Sequence, residues 1–175
     1  MSRLRRPFLS NKFFFLTVRL LEGRTELADG DFGVLPQTLR EARQRYGYEL
    51  TAWVFLPDHW HAILYPRHPL TISQAMKTVK LSSVILINRR RGETAELWQG
   101  RFFDRALRTV KEYHEKVEYI HLNPVRCGLV SEPQDWRWSS VREFSGGDAA
   151  EQERRCGLVI NRVRLPPTRG RKFKR

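Results

Sequence analysis

Two histidines one residue apart, His59 and His61, stand in the run Leu56-Pro57-Asp58-His59-Trp60-His61-Ala62-Ile63-Leu64. Side chains alternate along an extended strand, so both imidazoles point to one face and Trp60 to the other. A stiff element that aims two imidazoles side by side suits one metal ion. A second group with chemical potential lies between Val110 and Asn123. At about 100° per residue, Val110, Tyr113, Val117, Ile120 and His121 gather on one side of a helix. Glu112, Glu115, Lys116, Tyr119 and Asn123 fall on the other. Tyr113 thus reads as a packing aromatic. Tyr119 stands off the apolar stripe, although an amphipathic surface tyrosine would look the same. Glu115 lies one turn before Tyr119 and Asn123 one turn after, and either could add an oxygen to the two imidazole nitrogens. Such a ligand set suits Mn²⁺ or Mg²⁺, with Zn²⁺ left open. A phenol with a pKa of about 10 attacks poorly at neutral pH unless positive charge or a base assists it. A divalent ion holding a phosphate beside it supplies both positioning and charge relief.

These groups need elements to position them. Phe13 to Leu21 is aromatic and β-branched and reads as a first strand. Glu22 to Asp31 carries Gly23 and Gly30 and reads as a loop. Leu35, Leu39, Ala42 and Tyr46 recur at helical spacing, with Arg40, Arg43 and Arg45 largely off that stripe, and Gly47 ends the helix. Leu50 to Tyr65 reads as two strands joined by a turn at Pro57 and Asp58. Thr71-Ile72-Ser73-Gln74 is a capping box that opens a helix from about Ile72 to Ile87, closed by Asn88-Arg89-Arg90-Arg91. Phe102 to Arg108 fits a last strand. Thr109-Val110-Lys111-Glu112 is a second capping box, opening a helix expected to end by Leu122 because Pro124 disfavours α conformation at Asn123. Asp135 to Phe144 reads as a short final helix carrying Trp136 and Trp138. The order β-α-β-β-α-β followed by a helix predicts an α+β, ferredoxin-like antiparallel sheet with two helices on one face. Three regions are expected: a basic arm at 1–12, one domain at 13–144, and a basic flexible tail at 145–175.

Charge narrows the partners. The 175 residues carry 32 Lys and Arg against 19 Asp and Glu, a formal net charge of +13. Such an excess attracts polyanions, of which nucleic acid is the commonest. Arg3, Arg5, Arg6 and Lys12 in the arm, with Lys77 and Lys80 on the second long helix, are the candidate phosphate contacts. No apolar run approaches the ~20 residues that span a bilayer, no helix pairs a basic face with a broad apolar one, and the N-terminus lacks a signal-peptide core. Cys127 and Cys156 stand apart with no Cys-x-x-Cys spacing, so a cytoplasmic protein without disulfides is the expectation.

In order along the chain, four segments carry a family resemblance. They are Leu56 to Leu64 with His59-Trp60-His61; Leu97-Trp98-Gln99-Gly100-Arg101-Phe102-Phe103-Asp104; Tyr119-Ile120-His121-Leu122-Asn123-Pro124-Val125-Arg126-Cys127-Gly128-Leu129-Val130; and Trp136-Arg137-Trp138-Ser139-Ser140. Together the chain resembles the HUH single-strand endonucleases. More narrowly, it resembles the single-tyrosine insertion-sequence transposases and their REP-associated tyrosine transposase relatives. The resemblance implies a ferredoxin-like HUH fold, with His59 and His61 as metal ligands and Tyr119 as nucleophile. The insertion-sequence enzymes place a Gln one turn after the tyrosine as a further ligand, where this chain has Asn123. The implied reaction is cleavage and rejoining of single-stranded DNA through a 5′-phosphotyrosine. The implied partner is hairpin-forming repeated DNA, bound by a monomer or a homodimer. Two other classes fit the residues: a non-catalytic nucleic-acid-binding module, and a metal-dependent nuclease using activated water with Glu115 as base.

Overall fold

The computed structural model describes residues 11–165. Strands β1 (Phe14–Arg19), β2 (Glu49–Phe55), β3 (His59–Tyr65) and β4 (Phe103–Ala106) form one antiparallel sheet in the order β2-β3-β1-β4. Helices α1 (Asp29–Phe32), α2 (Val34–Tyr46) and α3 (Ile72–Arg91) precede β4, and α4 (Val110–Arg126) follows it. This is the expected α+β, ferredoxin-like arrangement.

Alternation along the strands divides the core in two. Phe14, Leu16, Val18 and Trp60 turn to one face and pack with Leu35 and Leu39 of α2 and Met76, Val79 and Ile87 of α3. Phe15, Ala52, Val54 and Ile63 turn to the other and pack with Tyr113, Val117 and Ile120 of α4. The helix caps follow the sequence closely. The Thr71 hydroxyl accepts from the Gln74 amide while the Gln74 side chain accepts from the Thr71 amide. Gly47, at φ 70°, ends α2 in the left-handed conformation that lacks a Cβ penalty.

Helix α3 runs from Ile72 to Arg91 and closes on the expected basic turn Asn88-Arg89-Arg90-Arg91, where the buried Asn88 side chain donates to the Ala95 carbonyl. Three expectations need correction. The second capping box forms only by half: Thr109 accepts from the Glu112 amide, but the Glu112 carboxylate takes the Arg108 amide instead. Helix α4 does not stop before Pro124 but carries it inside, ending at Arg126. The proline lacks an N–H, yet it and Asn123 are buried, and the Cys127 amide still reaches the Asn123 carbonyl at 2.9 Å. Finally, 135–144 is not a helix. After a 3-10 turn at Pro133–Asp135, Trp136 is extended, the chain bends at Arg137 and Trp138, and Ser139 bridges Val54 before a short α5 (Val141–Phe144). Phe55 donates to the Trp138 carbonyl and Ser140 to the Trp53 carbonyl. The segment thereby pairs the outer edge of β2, which would otherwise stand unpaired.

The supposed tail also folds as far as residue 165. Helix α6 (Ala149–Cys156) leads to a fully buried Leu158. Arg40 and Arg43 of α2 donate to the carbonyls of Gly157 and Val159, and Asn161 exchanges two hydrogen bonds with the backbone of Leu50. Most of the arm, with Arg3, Arg5 and Arg6, lies outside the described residues, as does the stretch from 166 onward. No helix among the described residues is long and apolar enough to cross a membrane.

Candidate active site

Strand register builds the site. β1 pairs β3 so that Thr17 stands opposite His61 and Arg19 opposite His59. Directly opposed residues share a face, which places Thr17 and Arg19 beside the two imidazoles. Trp60, between the histidines, drives the strand into the opposite core and is only 1% exposed. The imidazole rings lie 4.8 Å apart, nearly perpendicular at 78°.

Each imidazole is held through its Nδ1. His59 Nδ1 donates to Asp58 Oδ1 at 2.5 Å, and the other Asp58 oxygen lies 3.8 Å from the Arg19 guanidinium. His61 Nδ1 lies 2.9 Å from the Thr17 hydroxyl and 3.3 Å from the Leu16 carbonyl. Because a carboxylate and a carbonyl only accept, both Nδ1 atoms carry the proton and both Nε2 atoms keep a lone pair. Fixing a histidine through its second nitrogen in this way is the usual support for a metal ligand. Burial, reinforced by the neighbouring His59, lowers the His61 pKa to about 3, so this imidazole is neutral at physiological pH.

α4 completes the cluster. Because the helix continues through Pro124, Asn123 remains one turn beyond Tyr119 on an unbroken element. Asn123 Nδ2 donates to His61 Nε2 at 3.2 Å, and its Oδ1 accepts from the Cys127 thiol at 3.2 Å. A half-turn of the amide would present the oxygen to an ion shared with the imidazoles. Among the described residues there is no group of three His, Cys, Asp or Glu that could hold a metal. An ion here would therefore rest on two imidazole nitrogens and one amide oxygen, leaving positions for water or substrate oxygens, a mixed donor set that suits a divalent metal. Glu115 does not join the cluster. It is exposed, with its carboxylate 3.7 Å from Lys111.

Tyr119 is half-buried, its ring 5.3 Å from that of His61 and 5.8 Å from that of Phe15. Phe15 in turn stacks on His61 at 5.2 Å. Two cations flank the phenol: Lys116 Nζ at 5.0 Å and the Arg126 guanidinium at 5.3 Å from the ring centre. The arrangement puts a phenol, two metal-competent imidazoles and positive charge around one small volume, which is what attack on a phosphodiester requires.

The family model described as "Transposase IS200 like" matches residues 21–123. The chain belongs to the IS200-like transposases. The matched span includes the paired histidines, Tyr119 and Asn123. The chain is 30% identical over 141 residues to the REP-associated tyrosine transposase of Escherichia coli (strain K12), covering 80% of this chain and 82% of that protein. A relative from Haemophilus influenzae is 26% identical over 151 residues, or 80% and 85% of the two chains. The solved structure of a REP-associated tyrosine transposase bound to a REP hairpin matches with a TM-score of 0.72 at 29% identity, over 83% of this chain and 86% of that one. This IS200-like transposase is thus a DNA-transposition enzyme with the fold of its hairpin-bound relative.

The candidate phosphate contacts on α3 are not brought to the site. α3 packs on the opposite face of the sheet, where Lys77 is exposed and Lys80 Nζ donates to the carbonyls of Gln99 and Gly100. Lys12 is exposed near Tyr65, at the far end of β3 from His59. Trp60 and Trp98 are buried, and the Trp136 indole donates to the Phe55 carbonyl, so none of these rings is free to stack on a base. Four contributors escaped the sequence reading: Thr17, Asp58 as a histidine partner, Lys116 and Arg126. Thr17 left a signal, because a lone hydroxyl in an apolar strand needs a buried partner. Lys116 left another, one turn before Tyr119.

Proposed function

We propose that this transposase cleaves and rejoins single-stranded DNA beside a hairpin-forming repeat, with Tyr119 as nucleophile. The observation that carries this reading is the placement of the Tyr119 ring 5.3 Å from the His61 ring, on the same side of the sheet as His59. A divalent ion held by His59, His61 and Asn123 would draw negative charge from the phosphate oxygens and so ease attack.

The rest falls to the chain itself. Lys116 and Arg126 hold the phosphate near the phenol and offset its charge. As the bond from the Tyr119 oxygen to phosphorus forms, the bond from phosphorus to the 3′-oxygen breaks. The phenol loses one proton and the departing 3′-oxygen gains one, leaving a 5′-phosphotyrosine and a free 3′-hydroxyl. Attack by a 3′-hydroxyl on that linkage reverses the step and joins strands. No nucleotide cofactor is consumed, because the phosphotyrosine conserves the phosphodiester. Asp58 and Thr17 keep the imidazoles oriented throughout. The hairpin-bound relative supports hairpin DNA as the partner.

The test is incubation with hairpin DNA carrying a single-stranded flank and Mn²⁺, followed by a denaturing gel. A DNA-shifted protein band that is absent for Tyr119→Phe is the expected result. Cleavage that persists in Tyr119→Phe would instead indicate activated water. Binding without cleavage in Mg²⁺ and Mn²⁺ would indicate a binding module.

A further inference from the structure

Among the described residues α4 covers β2, β3 and Phe15 of β1, and the active face is left open along β4 as a shelf at Phe103 and Arg105. The register of β1 on β4 sets Thr17 opposite Phe103 and Phe15 opposite Arg105, so these side chains share the face that carries His61. Phe103 is 57% exposed there. The exposed ring face is free to stack on a flat partner. Its inner edge meets the buried Phe15 ring at 6.3 Å, and Phe15 meets Tyr119 at 5.8 Å. A line of rings thus leads from the open shelf to the phenol.

The surroundings of that line are cationic. Lys116 Nζ sits 4.7 Å from the Phe15 ring centre. Arg105 is exposed one row along, with one contact to Glu112 at 3.2 Å. Arg19 is exposed beyond Thr17, with its guanidinium 3.8 Å from an Asp58 carboxylate oxygen. An accessible aromatic among three cations, continuous with a phosphate-cleaving cluster, matches the chemistry of an unpaired nucleotide.

We infer that the β1–β4 shelf holds the single-stranded DNA next to the cleaved phosphate, with an unpaired base stacked on Phe103 and backbone phosphates on Arg105, Lys116 and Arg19. The inference rests on the reading that Tyr119 acts on single-stranded DNA. A second copy of the chain is the rival occupant, since β4 is an edge strand. Charge disfavours it: a two-fold contact along β4 would bring Arg105 and its neighbours of two chains of net charge +13 together.

The test uses the full-length protein, Phe103→Ala and Phe103→Trp, with a labelled oligothymidylate, a duplex and an oligouridylate as probes. Because the ring is exposed, both variants should melt with the wild type. Phe103→Ala should weaken oligothymidylate binding by about 10-fold, with duplex binding unchanged. Phe103→Trp should keep the affinity and show indole quenching on binding that the wild type lacks. Arg105→Ala should lower the salt slope by about 0.7 on the single strand. Unchanged oligothymidylate binding in Phe103→Ala overturns the inference, as does an equal loss on the duplex. A wild-type dimer that Phe103→Ala dissociates would assign the shelf to a second copy. Tighter, Phe103-dependent binding of oligouridylate would assign it to RNA. The two readings fail separately. A wild-type phosphotyrosine adduct with Phe103-independent binding sinks only the shelf. Phe103-dependent binding without any adduct sinks only the role of Tyr119.

Discussion

The two faces of the sheet are made by the same strands and do opposite work. The α2–α3 face is dry in the sense that Trp60, Phe14, Leu16 and Val18 pack in one hydrophobic cluster with apolar residues of the helices. The α4 face is half-covered and polar, and the buried polar side chains of the site have named partners: His59 with Asp58, His61 with Thr17 and Asn123, and Asn123 with Cys127. The tripeptide His59-Trp60-His61 spans both faces, because alternation sends its middle residue to the core and its outer residues to the site. Packing on one side therefore sets the aim of the ligands on the other.

Substitutions that separate the faces sharpen this contrast. The largest effect is expected on the active face: Tyr119→Phe should remove phosphotyrosine formation by about 10⁴-fold or more while leaving the melting temperature almost unchanged. Next comes Trp60→Ala on the dry face, which should cost about 3–5 kcal/mol in urea unfolding. If Trp60→Ala instead left stability intact and abolished only the chemistry, the division between faces would be wrong.

Acid should act through the polar face. Burial holds His121 down to about 4 and His61 down to about 3, both from 6.5. Protonation therefore favours the unfolded chain. The stability these groups contribute is fully present above about pH 6.5 and is lost as pH falls towards 4 for His121 and 3 for His61. For His121 the loss is at most about 3 kcal/mol. Urea melts at pH 7.5 and 4.5 should show the decline, and His121→Gln should reduce it by about half, leaving the share of His61. A decline of the same size in His121→Gln would assign it elsewhere. The smallest effect is expected for Thr17→Val, which keeps the shape and removes the hydroxyl beside His61. Mn²⁺ affinity, read by calorimetry, should weaken by about 10-fold, at the low end for such supporting contacts. Unchanged affinity would mean that the Leu16 carbonyl alone orients the ring.

Local rules made much of this legible. Period-two alternation sorted His59, Trp60 and His61, and helical spacing set Tyr119 apart from Tyr113. The sheet order followed from the βαββαβ sequence of elements. What stayed hidden depends on contacts distant in sequence. Pro124 reads as a helix stop, but burial of Asn123 and Pro124 holds α4 together past it. Trp136 and Trp138 read as helical, but the open edge of β2, some 80 residues away in sequence, takes a hydrogen bond from the Trp136 indole and gives one to the Trp138 carbonyl. The basic, aperiodic stretch after Glu151 reads as flexible, but its backbone carbonyls are taken by Arg40 and Arg43, residues that α2 displays for another reason as far as local pattern can tell. The support of the imidazoles by Thr17 was likewise a matter of strand register, which no single strand contains.

The most direct measurement is mass spectrometry of the trapped covalent complex after trypsin and nuclease digestion. Cleavage after Lys116 and Arg126 releases Val117 to Arg126, a peptide with Tyr119 as its sole tyrosine. The expected result is a nucleotide 5′-phosphate on that tyrosine, formed only with divalent metal and lost when His59 or His61 is replaced by Ala. A nucleotide on another residue, or cleaved DNA with this peptide unmodified, would contradict the central claim.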